Sequence, residues 1–461
     1  MSEPSELIDA LIALPTLSDP QVDPAGTRVA FVQNQSFKAD QQTPATGAIY
    51  VIDLADSVAS PPRRFAGDNR SFSGSPRWSP DGHYLVFISD RANRRESQLY
   101  LMRANGGEAE ALTDIRGRIR APILVADSQT VIFLSSGTLA AVAPETPDPR
   151  VLDANLPVMR VWATGIHPGS TRPLTPADLN VYEYALSPNG DWLALIAAHE
   201  ATNEAWYYAQ LYVTELASGI TRRVCQTNDQ IGRPAFSPDG TQIAFIQDIL
   251  SDEGGVAGDV YCVPIGGGEP RLLTPNIDHS PVWLSWLPDG ILYGARQKTG
   301  SRLGWIDPVT GASRLIMSRA DSIGGRREQP ISRAADHRTF VTLIDGFAAP
   351  PEVFLGDLID GTLRQLSTLV TPPPGVRAQV ESIEWTSPDG TVIQGYLSLP
   401  SDYQAGVRCP LIVLAHGGPS SSHEPSYGGS VWGAWQHWAS QHGCAILMPN
   451  PRGSWGRGHA F

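Results

Sequence analysis

Ser237-Pro238-Asp239-Gly240, running into Thr241-Gln242-Ile243-Ala244-Phe245-Ile246, decides how the rest of this chain is read. Proline presets φ at the second position of a turn, Asp caps it, and glycine takes positive φ before the β-branched and aromatic run of a strand. The same signature stands at Asp23-Pro24-Ala25-Gly26, Ser79-Pro80-Asp81-Gly82, Ser187-Pro188-Asn189-Gly190 and Leu287-Pro288-Asp289-Gly290. Weaker copies occupy Val125-Ala126-Asp127-Ser128 and Arg333-Ala334-Ala335-Asp336, which brings the series to seven units. Pro188, Pro238 and Pro288 are fifty residues apart, so the copies form one register.

Each unit carries a second half. Gln98-Leu-Tyr-Leu-Met102, Asn105-Gly-Gly107 and Glu110-Ala-Leu-Thr113 read as strand, turn and strand, and Asp259 to Thr274 repeats the pattern. Four short strands per unit, repeated radially, describe a β-propeller. The fold class expected is therefore mainly β, a seven-bladed β-propeller over residues 18–367, preceded by an N-terminal extension at 1–17.

The 461 residues are 41% hydrophobic, enough for an ample core and more than one ordinary domain. A formal net charge of −13 is opposite to what phosphate neutralisation needs, so nucleic acid and anionic membranes are not expected partners. Cys225, Cys262, Cys409 and Cys444 lie far apart with no C-x-x-C pair, which reads as reduced, packed thiols. Glu3, Glu6 and Asp9 occupy the place where a secretory leader carries Lys or Arg, and no run of eighteen apolar residues occurs. A cytoplasmic protein is the expectation.

Thr371-Pro-Pro-Pro-Gly375 can be neither helix nor central strand, and it marks a linker at 368–378. Beyond it, Ser382 to Trp385, Ser387-Pro-Asp-Gly390 and Val392 to Leu399 read as an antiparallel hairpin opening a new domain, 379–461. An apolar strand Leu411 to Ala415, a helix Val431 to His442 and a strand Ala445 to Met448 then begin a parallel α/β sheet. Trp432, Trp435 and Trp438 recur every three residues on that helix, as a packing face does.

Two motifs in this last segment carry chemistry. The strand at Leu411 runs into His416-Gly417-Gly418-Pro419, a strand-end turn of the kind α/β-hydrolases use to offer backbone N–H groups to a developing oxyanion. Asn450-Pro451-Arg452-Gly453-Ser454, with Gly456 and Gly458, follows, and the sequence ends at Phe461. No serine has glycine at both minus two and plus two, so no Gly-x-Ser-x-Gly nucleophile elbow is encoded in these residues. His416, His423, His437, His442 and His459 crowd the segment, yet none stands in triad order with an aspartate and a serine, and none has metal-ligand spacing.

Taken together, a Ser-Pro-Asp-Gly propeller, the Trp385 to Gly390 hairpin, His416-Gly-Gly-Pro419 and Asn450-Pro-Arg-Gly-Ser454 resemble the prolyl oligopeptidase family of serine peptidases, in its acylaminoacyl-peptidase and dipeptidyl-peptidase-like branch. The resemblance implies a propeller that caps an α/β-hydrolase domain and admits short peptides to a Ser-His-Asp triad. It also implies that Gly418, with Gly417 beside it, supplies an oxyanion-hole donor. The family's nucleophile, aspartate and histidine all follow the Asn-Pro-Arg-Gly motif, so no triad residue is assignable and the hydrolase domain is expected to be incomplete. Arg452 at the strand end, and Glu200 and Glu204 in a propeller loop, are the substrate-side candidates; no metal and no cofactor is expected.

The first expectation is a serine-type peptidase of short peptides, inactive in the form given by these residues. A non-catalytic propeller that binds a peptide or protein is the alternative from another class. The third is half of a split hydrolase, with a partner chain completing the sheet.

Overall fold

The computed structural model describes residues 4–35, 46–54, 59–94, 96–137, 156–167, 169, 171–324, 331–373, 379–427 and 431–461. Up-and-down antiparallel sheets succeed one another along the chain, so the protein is mainly β. The first joins Thr16–Val22, Arg28–Asn34, Gly47–Asp53 and Arg63–Ala66 in that order. Another joins Gln230–Phe236, Gln242–Asp248, Asp259–Pro264 and Arg271–Leu272. In the sheet nearest the linker, Thr339–Asp345 is paired along one edge by both Ser322–Ile323 and Ile331–Arg333, and along the other by Glu352–Asp357.

The second strand of each sheet is buried on both faces, which is why it reads as an unbroken apolar run rather than an alternation. Phe31, Phe87, Phe133 and Phe245 occupy the same position on four of these strands, all fully buried. Truncating any one to alanine costs about 3–5 kcal/mol. The cores lie between sheets, not within them: Ala30, Val32, Ile49 and Val51 of the first sheet pack on Leu85, Phe87, Tyr100 and Met102 of the second. The first sheet's other face, with Leu17, Val29 and Phe31, packs on Val341, Leu343 and Val353, nearly the whole chain later.

The repeated turn works as its residues dictate. Ser237 Oγ donates to Asp239 at 2.6 Å and accepts the Gln242 N–H at 2.9 Å, while the Gly240 N–H closes the turn on the Ser237 carbonyl. In the weak copies a side-chain residue takes glycine's place, Ser128 at φ 55° and His337 at φ 56°. The last copy is therefore one residue later than its sequence reading: the turn is Ala334 to His337, not Arg333 to Asp336, and Asp336 caps it by accepting the Arg338 and Thr339 N–H groups.

Each first strand is an edge strand. In four of them a residue of positive φ, Asp19, Ser75, Ala121 or Arg233, precedes a proline and the ladder slips register nearby. Proline lacks a donor, and an edge bulge is where that costs least.

The segment after the linker forms a mixed sheet. Gln379–Thr386 pairs antiparallel with Val392–Leu399, the expected hairpin, and Val392–Leu399 pairs antiparallel with Ala445–Asn450. Leu411–Val413 lies parallel to Ala445–Asn450 with the helix Val431–Gln441 between them in sequence. The strand and helix expectations hold with shifted ends. Leu411, Ile412 and Val413 are 54%, 41% and 59% exposed at the free edge. Trp438 stacks on His442 with ring centroids 4.4 Å apart; the side chains of Trp432 and Trp435 lie outside the described residues.

An N-terminal helix, Pro4–Ile12, packs on Val431–Gln441 and buries Leu11 completely in the cluster that also holds Leu366, Val370 and Tyr427. Nothing in the sequence announced that contact. All four cysteines are free, and burial pushes the Cys225 thiol up to about 11. Among the described residues no helix is long and apolar enough to cross a membrane.

Candidate active site

Two loops at the ends of neighbouring parallel strands build the site. The first leaves Leu411–Val413, with the Leu414 N–H still bonded to the Leu447 carbonyl, and turns at His416-Gly417-Gly418. Gly418 sits at φ 148°, and a Cβ there would lie 2.7 Å from the Ser420 carbonyl oxygen. Glycine is required at this position. Gly417 has open space on all sides, so the two candidates are not equivalent. Among the described residues the Gly418 N–H meets no acceptor, which leaves it available as an oxyanion donor.

The second loop leaves Ala445–Asn450. Asn450 is fully buried and clamps the first loop: its Oδ1 accepts the His423 N–H at 2.7 Å and its Nδ2 donates to the His423 carbonyl at 3.3 Å. His423 Nε2 donates to the Leu414 carbonyl at 2.8 Å, and its ring lies edge-on to His416 at 5.4 Å. His416 Nε2 meets Ser454 Oγ at 2.8 Å, and Nδ1 meets the Gly417 carbonyl at 3.1 Å. This is a serine–histidine pair with no carboxylate on the far nitrogen, and Ser454 is buried rather than presented.

Loops from the β-sheets seat both turns. Ser420 donates its N–H to the Leu250 carbonyl and accepts Ser251 Oγ at 2.6 Å on its own carbonyl. The Lys298 N–H donates to the Gly456 carbonyl at 2.6 Å, and the Gly456 N–H donates to Ser280 Oγ at 2.9 Å. A Cβ on Gly456, at φ 108°, would stand 2.8 Å from the Lys298 carbonyl, so glycine here lets two backbones meet. Arg296 pairs with Glu424 at 2.5 Å, and Asp345 accepts the Ser426 hydroxyl and the Tyr427 N–H.

Every one of these anchoring loops lies on the side of its sheet opposite the Pro-Asp-Gly turns. Asp248 is the buried acid of the junction. Its Oδ2 accepts Trp455 Nε1 at 3.2 Å and Ser420 Oγ at 3.4 Å, yet burial outweighs those bonds and pushes its carboxyl up to about 6.

Arg452 is spent on a brace, pairing with Asp389 of the Ser387 to Gly390 turn at the surface. Glu200 and Glu204 are exposed in the loop after Trp192–Ala198, and neither carboxylate has a hydrogen-bond or ion-pair partner among the described residues. The structure brings Gly417, Gly418 and the Arg452 loop together, and among the described residues neither glutamate carboxylate bonds to them. Sequence reasoning passed over Asn450, Ser454 and Asp248. The first two stood inside a motif already singled out; Asp248 had no local signal. Among the described residues no three metal-ligating side chains converge.

No family model matches the chain. Among curated proteins it is similar to the uncharacterized peptidase YuxL of Bacillus subtilis, 26% identical across 98% of this chain and 72% of that protein. It is also similar to a probable dipeptidyl-peptidase 5 of Aspergillus niger, 25% identical over 63% of this chain, and the match spans only 41% of that relative. Its structure superposes on Pyrococcus horikoshii acylaminoacyl peptidase with a TM-score of 0.70 at 16% identity, over 98% of this chain and 68% of the other. That likeness extends the propeller-plus-hydrolase architecture to this chain. The chain is thus similar in sequence to peptidases and shares its fold with an acylaminoacyl peptidase.

Proposed function

We propose that residues 18–367 form a closed seven-bladed propeller that restricts a serine-type peptidase site to short peptides, and that 379–461 supply the oxyanion side of that site. The observation that carries this reading is the Gly418 N–H: without an acceptor among the described residues, at the end of a parallel strand, on a residue that must be glycine, in a loop held by the sheets beneath. Ring closure is supported by the packing of Thr16–Val22 against Ile331–Arg333 and Thr339–Asp345. A backbone donor lowers a barrier only when an attacking group shares its site. These 461 residues encode no Gly-x-Ser-x-Gly serine, so the reading assigns them the oxyanion side of the site and no turnover of their own.

The test has two arms. A fluorophosphonate probe and N-acyl aminoacyl anilides should leave the purified chain unlabelled and unconsumed, whereas short peptides should slow amide exchange across residues 415–420. Stoichiometric serine labelling with turnover would overturn the inactive reading, and exchange indifferent to peptide would overturn the peptide site.

A further inference from the structure

We propose that Ser454 and His416 are positioning residues that set the plane of the Gly417–Gly418 peptide and so aim the Gly418 N–H. The proposal rests on the peptidase reading above and adds to it the device that orients the donor.

A carbonyl oxygen can only accept, so the 3.1 Å contact between His416 Nδ1 and the Gly417 carbonyl places the ring proton on Nδ1. In the Nδ1–H tautomer Nε2 carries a lone pair, and the Ser454 hydroxyl, 2.8 Å away, donates to it. Both bonds run one way, from Ser454 through the imidazole to the Gly417 carbonyl. Ser454 is itself fixed: it is buried, and its N–H bonds the Pro451 carbonyl at 3.0 Å. The ring is steadied from the side by the edge of His423, which is held by Leu414 and Asn450.

The Gly417 carbonyl and the Gly418 N–H belong to one planar trans peptide and point in opposite directions. Holding the carbonyl against His416 therefore turns the N–H to the other side, where no described acceptor meets it. A peptide flanked by two glycines is the least hindered of all to flip, because neither side carries a Cβ. The imidazole bond selects one of its two orientations.

The test reads the proton directly. In the whole chain labelled with nitrogen-15 histidine at neutral pH, long-range proton–nitrogen correlation should show His416 as the Nδ1–H tautomer. Ser454→Ala should abolish that tautomer's dominance and move the Gly418 amide resonance, and Ser454→Thr, which keeps the hydroxyl, should restore both. An Nε2–H tautomer in the unmodified chain overturns the proposal even if no variant folds. So does an alanine variant that folds with tautomer and Gly418 amide unchanged. None of these readouts needs peptide or turnover: a correct tautomer with no peptide protection defeats the functional reading alone, and the wrong tautomer with peptide protection defeats this one alone.

Discussion

Replacing Asp248 by asparagine should make the protein more stable at neutral pH and not in acid. The carboxyl lies at the junction of Gln242–Asp248 with the two site loops, 8% exposed, and burial lifts it from 3.8 to about 6. A group whose folded value is raised contributes stability that is complete below its unfolded value and is lost as pH climbs through its folded value. Here that window runs from about pH 4 to about pH 6. Roughly two units at about 1.4 kcal/mol each gives about 3 kcal/mol, of which about 2 kcal/mol falls between pH 4.5 and pH 7.5. Asparagine keeps an acceptor for Trp455 Nε1 and Ser420 Oγ but surrenders the bond from the Ile249 N–H, a pH-independent loss of about 1 kcal/mol. Urea unfolding followed by tryptophan fluorescence at the two pH values measures the swing. If the difference between Asp248→Asn and the parent is the same at both, or if the parent gains on the variant as pH rises, the assignment of a buried, unneutralised charge to this junction is wrong.

Gly418→Ala should destabilise the site loop by about 1–3 kcal/mol, since it combines a positive φ with a Cβ only 2.7 Å from the Ser420 carbonyl. Gly417→Ala, in open space, should stay within about 0.5 kcal/mol, and thermal unfolding of the pair separates the two glycines. Asn450→Ala strands the His423 N–H and carbonyl beneath the loop and should cost about 1–3 kcal/mol, with faster amide exchange confined to residues 414–425.

The repeating sheets were legible because their information is local: a Ser-Pro-Asp-Gly turn closes on itself within five residues, whatever surrounds it. The exception proves informative. At Ala334 to His337 neither proline nor glycine marks the turn, and a histidine accepts the left-handed conformation, so the register read from sequence slipped by one. The His-Gly-Gly-Pro turn was likewise visible, because an apolar strand followed by two glycines needs no distant partner to be recognised. What makes the site work was not visible. Asp248 reaches Trp455 across 207 positions and Ser420 across 172, and its role exists only once loops from separate sheets have met. Arg452 shows the converse: a charged residue in a motif invites a substrate role, while the surface pair with Asp389 gives it a mechanical one.

The N-terminal helix adds a further point of attachment to the junction. The chain crosses from the first sheets to the last one covalently through the linker, and Pro4–Ile12 reaches across independently to lean on Val431–Gln441, with Leu11 sealed beside Leu366, Val370 and Tyr427. Together with the bonds that Ser420, Glu424, Tyr427 and Gly456 make to the sheets, the helix spreads the load of the junction over many points, as a row of rivets does. Those bonds remain when Leu11 is withdrawn from its seal, so trimming away the first dozen residues should slacken the junction without releasing it.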